Sequence, residues 1–88
     1  MKNLDHPVIL YPLSTEKTIR LMESENKLIF VVNTNSTKDQ IKKAIEEEFK
    51  AKVKNVSTQI DSKGRKKAYI KFADETPAID IATKLGLM

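Results

Sequence analysis

The chain reads as an α+β protein: a four-stranded antiparallel sheet with helices packed on it, in the order β-α-β-α-β-β plus a short C-terminal helix, ferredoxin-like in general architecture. Three observations predict it. Two segments place helix-capping residues ahead of apolar side chains at helical spacing. Four segments are strand-length runs, either apolar throughout or alternating. The last two of these flank a four-residue turn, Asp61-Ser62-Lys63-Gly64. Interleaved helices and strands that close on a hairpin favour an antiparallel sheet with helices laid on it. At 88 residues the chain has room for a single domain, spanning 1–88, that buries only roughly two thirds of its unfolded surface.

Each element follows from local chemistry. Val8-Ile9-Leu10-Tyr11 lies between Pro7 and Pro12, which lack the N–H a ladder needs, so it is a short or edge strand. Ser14 or Thr15 caps a helix running through Glu25, with Glu16 in the first turn where the helix dipole favours an anion and Ile19 and Met22 facing inward. Lys27 to Asn33 is apolar on both parities, the mark of a central strand covered on both faces.

After the turn cluster Asn33-Thr34-Asn35-Ser36, Thr37-Lys38-Asp39-Gln40 has capping-box spacing, which predicts a second helix. Ile41, Ala44, Ile45 and Phe49 form its apolar stripe. Outside the stripe, Glu46 and Glu47 can pair with Lys42 and Lys43 one turn earlier. Val53 to Ile60 and Arg65 to Ala73 pair antiparallel across the turn, where Gly64 supplies the positive φ of a bulged hairpin. Val56 and Ile60 share a parity that Val53 does not, so the strand carries a bulge near Lys54. Thr76 and Pro77 read as N-cap and first residue of the last helix, with Gly86 just past its end.

Charge is concentrated. From Lys50 to Lys71 there are eight Lys or Arg against one acid, Asp61, a local balance of +7 in a chain whose total is +4. In the second hairpin strand Ala68, Ile70 and Phe72 share one face while Lys67, Tyr69 and Lys71 share the other. A cationic strand face is a footprint for RNA or DNA, because each phosphate it neutralises releases condensed counterions. An edge strand that merely blocks aggregation needs one or two Lys, not a stretch without acids from Ser62 to Ala73. Lys63, Arg65, Lys66, Lys67, Tyr69 and Lys71 are therefore the candidate site.

Lys67 to Phe72 overlaps the RNP1 pattern of RNA-recognition motifs, except that an ammonium stands where one of two stacking rings belongs. An ammonium grips phosphate as a point charge, which favours backbone contact with folded RNA over the reading of single strands.

Other classes find little support. The chain has no Cys, so disulfides and thiolate metal sites are excluded and an intracellular setting is expected. No apolar run approaches the roughly 20 residues of a membrane span, and the first seven residues lack a secretory apolar core, so a soluble protein is expected. His6 is solitary and reads as a surface residue. With one His and two Gly there is no triad, P-loop or dinucleotide fingerprint; a small phosphohydrolase would need a Gly-rich anion cradle that the chain lacks. No catalysis and no cofactor are expected.

Three motifs in order resemble one family, the universal large-subunit ribosomal protein number twenty-three in its short archaeal form. Tyr11-Pro12-Leu13-Ser14-Thr15-Glu16-Lys17 is similar to the family's entrance to the first helix. Ile41-Lys42-Lys43-Ala44-Ile45-Glu46 with Phe49, Val53 and Val56-Ser57-Thr58 is similar to its second helix and following strand, with Ser57 where Asn is usual. Arg65 to Lys71 resembles its basic strand signature, followed by Phe72 where Leu is usual.

The resemblance implies a cytoplasmic ribosomal protein bound to large-subunit rRNA beside the peptide exit tunnel, among neighbouring ribosomal proteins. It also implies a docking platform for nascent-chain factors such as the signal recognition particle, with no membrane and no small-molecule substrate. Carried over by position, Thr15, Lys17 and Arg65 to Lys71 would touch rRNA, and Glu16 would be the docking carboxylate. The short turn at Asp61 to Gly64 implies that the long extension bacterial members send into the tunnel is absent.

Overall fold

The computed structural model describes residues 8–86, so His6 and the chain start lie outside the described residues. The seven elements come in the predicted order: β1 (Ile9–Pro12), α1 (Glu16–Glu25), β2 (Lys27–Val32), α2 (Lys38–Phe49), β3 (Val53–Ile60), β4 (Lys66–Phe72) and α3 (Ala78–Lys84). The strands form one antiparallel sheet in the order β1-β2-β4-β3. The predicted hairpin β3–β4 thus supplies one central strand, and β2 and β3 run the same way on either side of it. Pro12 sits on the edge strand β1, where its missing N–H costs the ladder nothing.

All helices lie on one face of the sheet. Leu28, Phe30 and Val32 of β2 and Ala68, Ile70 and Phe72 of β4 point into a core closed by Met22 of α1, Ile41, Ala44 and Ile45 of α2, and Ala78, Ile81 and Ala82 of α3. The rings of Phe30 and Phe49 lie 5.9 Å apart in a tilted contact. The double-parity apolar run of β2 has a different cause from the one expected. Ile29 and Val31 are each only 3% exposed, yet no helix covers their side of the sheet. Their cross-strand neighbours Tyr11, Lys67 and Tyr69 stand over them, the lysine through its aliphatic stem.

Both helix starts are capped as the sequence indicates. Thr15 caps α1 through a reciprocal box with Thr18, and Thr37 caps α2 through a box with Gln40 in which the backbone–side-chain distances are 2.9 and 3.2 Å. The bulge near Lys54 appears as a register shift between Val53 and Asn55, and Gly64 takes a φ of 81° at the hairpin turn.

Three local expectations are corrected by tertiary contacts. Ile19 does not face inward: it is 36% exposed, and Thr18 takes the buried position beside Met22. Glu46 forms no ion pair with Lys42; its carboxylate instead accepts the N–H of Val53 at 3.3 Å, fixing the start of β3. Thr76 does not cap α3. The cap position falls on Pro77, and the Ala78 N–H donates to the side-chain oxygen of Asn26 at 2.6 Å, while the Thr76 hydroxyl accepts from the backbone of Lys52.

Asn26 is therefore a knot. It ends α1 with a left-handed φ of 56°, and its amide nitrogen lies 3.1–3.2 Å from the carbonyls of Phe72, Ala73 and Thr76, so one side chain ties the α1–β2 turn to the β4–α3 connection.

Two stability predictions follow from this packing. Asn26→Ala should lower the unfolding free energy by about 2–4 kcal/mol, from buried backbone groups left unpaired and a left-handed Cβ penalty, and Asn26→Gly should recover only the backbone share. Equal losses for the two variants in urea denaturation would assign the whole effect to the hydrogen bonds. Phe72, fully buried at 0% exposure, should lose about 3–5 kcal/mol on truncation to Ala but under about 1.5 kcal/mol on exchange to Leu, measured the same way.

Candidate nucleic-acid interface

The helix-free face of the sheet is built by alternation. β4 pairs with β2 so that Lys71 stands beside Lys27, Tyr69 beside Ile29 and Lys67 beside Val31; on its other side β3 presents Asn55, Ser57 and Gln59 to the same three β4 residues. Lys67, Tyr69 and Lys71 are half-buried, and among the described residues no helix masks them. Lys27 adds a cation that sequence reading missed, although its parity on β2 is the signal that places it; its ammonium lies 3.2 Å from Glu25.

The hairpin end of this face is braced by a carboxylate. Asp61 Oδ1 accepts the backbone N–H groups of Lys63 and Arg65, both at 2.9 Å, while Oδ2 accepts Arg65 Nε at 2.9 Å and lies 3.9 Å from Lys67 Nζ. Arg65 in turn reaches across the sheet to donate to the Tyr11 hydroxyl at 3.4 Å. Asp61 is consequently held below the ordinary carboxylate value, chiefly by the Arg65 N–H, against an opposing desolvation and with further help from the Arg65 side chain and the Lys63 N–H. Arg65 is pushed above its ordinary value, first by its bond to Tyr11 and then by Asp61. The single acid of the basic stretch is thus spent on shaping the turn and aiming Arg65.

The expected site residues do not all gather here. Arg65, Lys67, Tyr69 and Lys71 share the open face, and Lys63 projects from the exposed turn beside it. Lys66 faces the helix layer, as its parity demands, and its ammonium donates to the Ser36 carbonyl ahead of α2. Thr15, Glu16 and Lys17 stand exposed at the start of α1, on the helix layer and apart from the open face. The Thr15 hydroxyl is engaged in its cap, and Glu16 accepts from Arg20 at 2.8 Å in a pair whose side chains are 81% and 76% exposed.

Helices on one side and a cation-bearing sheet on the other define a small α+β protein organised around one open face. Residues 7–79 match the family described as Ribosomal protein L23. Large ribosomal subunit protein uL23 of Methanococcus aeolicus is 46% identical over 91% of this chain and 93% of its own length. The protein of the same name from Methanococcus vannielii is 49% identical over the same shares. The corresponding Tetrahymena thermophila protein is 43% identical over 96% of this chain but only 56% of its own length. The chain belongs to the ribosomal protein L23 family, and it matches the archaeal members nearly end to end. It is a structural component of the large ribosomal subunit and not an enzyme, and no helix among the described residues is long and apolar enough to cross a membrane.

The brace gives a pH prediction. Asp61 has a folded-state value below its unfolded one near 3.9, so its contribution to hairpin stability is present above that unfolded value and lost as pH falls through the lower folded one. In an NMR titration the Lys63 and Arg65 amides should shift with a midpoint below that of exposed carboxylates. Asp61→Asn, whose amide oxygen still accepts both N–H groups, should keep the turn but abolish the transition; a midpoint at the ordinary value would show that Asp61 is not so held.

Proposed function

We propose that the chain binds large-subunit rRNA through the open face of its sheet, beside the peptide exit tunnel, and that the first turn of α1 contributes to a docking site for nascent-chain factors such as the signal recognition particle. The observation that carries the first part is the alternation of β4, which sends Lys67, Tyr69 and Lys71 to the face without helices and Ala68, Ile70 and Phe72 into the core. Lys63, Arg65 and Lys27 extend the same face. Fixed cations at strand spacing, about 6.8 Å between alternate residues, suit a run of phosphates, and ammonium groups position an RNA backbone without sorting its sequence. Lys66 supports the interface from behind, by holding the turn ahead of α2. Thr15 and Lys17 make a second, smaller rRNA contact at the start of α1, and neighbouring ribosomal proteins border the sheet edges. For docking, the support is that the Glu16 carboxylate is among the more exposed groups of α1 and that its pairing with Arg20 is a surface ion pair worth about 0–1 kcal/mol, readily exchanged for a basic partner.

Filter binding to in vitro transcribed large-subunit rRNA tests the first part. Lys67→Gln and Lys71→Gln should each lower the slope of log affinity against log salt by roughly 0.7–0.9, whereas Lys66→Gln should leave the slope alone. Equal slopes for all three variants would refute the assignment of the open face. Ribosomes carrying Glu16→Ala should bind the signal recognition particle more weakly than unaltered ribosomes; equal binding in co-sedimentation would remove Glu16 from the docking site.

A further inference from the structure

We propose that the open face takes up one unpaired nucleotide of the bound RNA, with its base stacked on the ring of Tyr69 and its polar edge turned to the amide of Gln59. This rests on the rRNA-binding reading above and adds to it a site for a single base. An open depression of about 400 Å³ lies on this face, lined by Lys27, Ser57, Thr58, Gln59 and Tyr69. Its side chains are unlike the rest of the face: the Tyr69 ring, the Ser57 hydroxyl, the Gln59 amide and the Lys27 ammonium, in place of a row of cations, while the side chain of Thr58, opposite Ala68, belongs to the other side of β3.

Tyr69 is the single aromatic of β4's outward side and is half-buried, flanked by Ile29 on β2 and Ser57 on β3. A ring flanked by two strands has little freedom, so little entropy is lost when a base settles on it. Gln59, two residues along β3 from Ser57, accepts from the Tyr69 hydroxyl at 3.4 Å, and among the described residues its amide nitrogen makes no hydrogen bond, leaving both donors for a base edge.

Lys27 lines the depression and Lys71 stands beside it on β4, the pair placed for the phosphate of that nucleotide, with Glu25 3.2 Å from the Lys27 ammonium. A duplex cannot offer its base faces to such a ring. The RNA bound here therefore carries a bulged or looped-out nucleotide where it crosses β4. The alternative role for Tyr69, a mere cover over Ile29, requires an apolar side chain but not an aromatic one.

The chain contains two Tyr and no Trp, so Tyr11→Phe, which takes one hydrogen bond from Arg65 but no charge from the face, leaves Tyr69 as its one tyrosine, and the affinity of this variant is first set against that of unaltered protein. The full chain carrying that change is titrated with in vitro transcribed large-subunit rRNA while the tyrosine fluorescence lifetime, which absorption by RNA does not distort, is recorded beside filter binding. The lifetime should shorten in step with binding. Tyr69→Phe should bind within about twofold of unaltered protein. Tyr69→Leu should bind roughly 5- to 150-fold more weakly, the range of base–aromatic stacking, with an unchanged salt slope because no phosphate contact is lost. If rRNA binds but the lifetime stays constant, or if a folded Tyr69→Leu binds as tightly as Tyr69→Phe, the base site is overturned and the phosphate-binding face stands. If unaltered protein does not bind the rRNA, both fall. Should Tyr69→Leu fail to fold by circular dichroism, the lifetime titration alone decides.

Discussion

The pairing of β2 with β4 is the constraint on which the molecule depends. Phe30 lies opposite Ala68 and Ile29 opposite Tyr69, and because side chains alternate along a strand, a slip of one residue would exchange every partner between the two faces. Such a slip would put Lys67, Tyr69 and Lys71 into the core and Ile70 and Phe72 into water. Burial of Ile70 and Phe72, both at 0% exposure, therefore locks the register, and the same lock holds the cations outside. Core stability and the electrostatic character of the open face are two results of one alignment.

The open face is also only partly hydrophilic. Ile29 and Val31 lie at its centre and are nearly as buried as the helix-side core, although no helix covers them. Long or aromatic side chains from the flanking strands do so instead, which means that Tyr11, Lys67 and Tyr69 serve packing with their stems and rings and present polar tips outward. Their positions are therefore restrained before any partner arrives. Asp61 extends that restraint to the hairpin tip, since it spends its oxygens on two backbone N–H groups and the Arg65 guanidinium and leaves Arg65 aimed along the face toward Tyr11. A surface restrained in this way loses less conformational entropy on binding than one of freely moving lysines.

Side-chain hydrogen bonds add to the core that joins the two layers, and Asn26 makes four of them. Its side chain meets three carbonyls and one N–H between the end of β4 and the start of α3, in a left-handed conformation that Asn tolerates better than most residues. Ser36 and Lys66 make a second tie, from the turn before α2 to the start of β4. Such ties matter in a chain this small, where each lost contact is a large part of the net stability.

Much was legible in the residues themselves because the signals are short-range. The Thr37–Gln40 box, the Gly64 turn, the bulge at Lys54 and the two-faced pattern of Lys67 to Phe72 each depend on neighbours within a few positions, and periodicity alone separates cationic side from core. What periodicity could not supply was strand order, since nothing local says that β4 inserts between β2 and β3. Without that order Lys27 and Tyr11 are unremarkable residues far from Tyr69 and Arg65 in sequence; with it they become their neighbours across the sheet. The cap of α3 shows the same division. Thr76 has the right chemistry and position for a local cap, but a side chain fifty residues earlier offers a better-placed oxygen, and Thr76 turns to Lys52. The sequence by itself determined which elements form and which side of each is apolar, because those are properties of spacing. Only the tertiary structure decided which sides meet, because hydrogen-bond partners and cross-strand neighbours are chosen by distance in space and not along the chain.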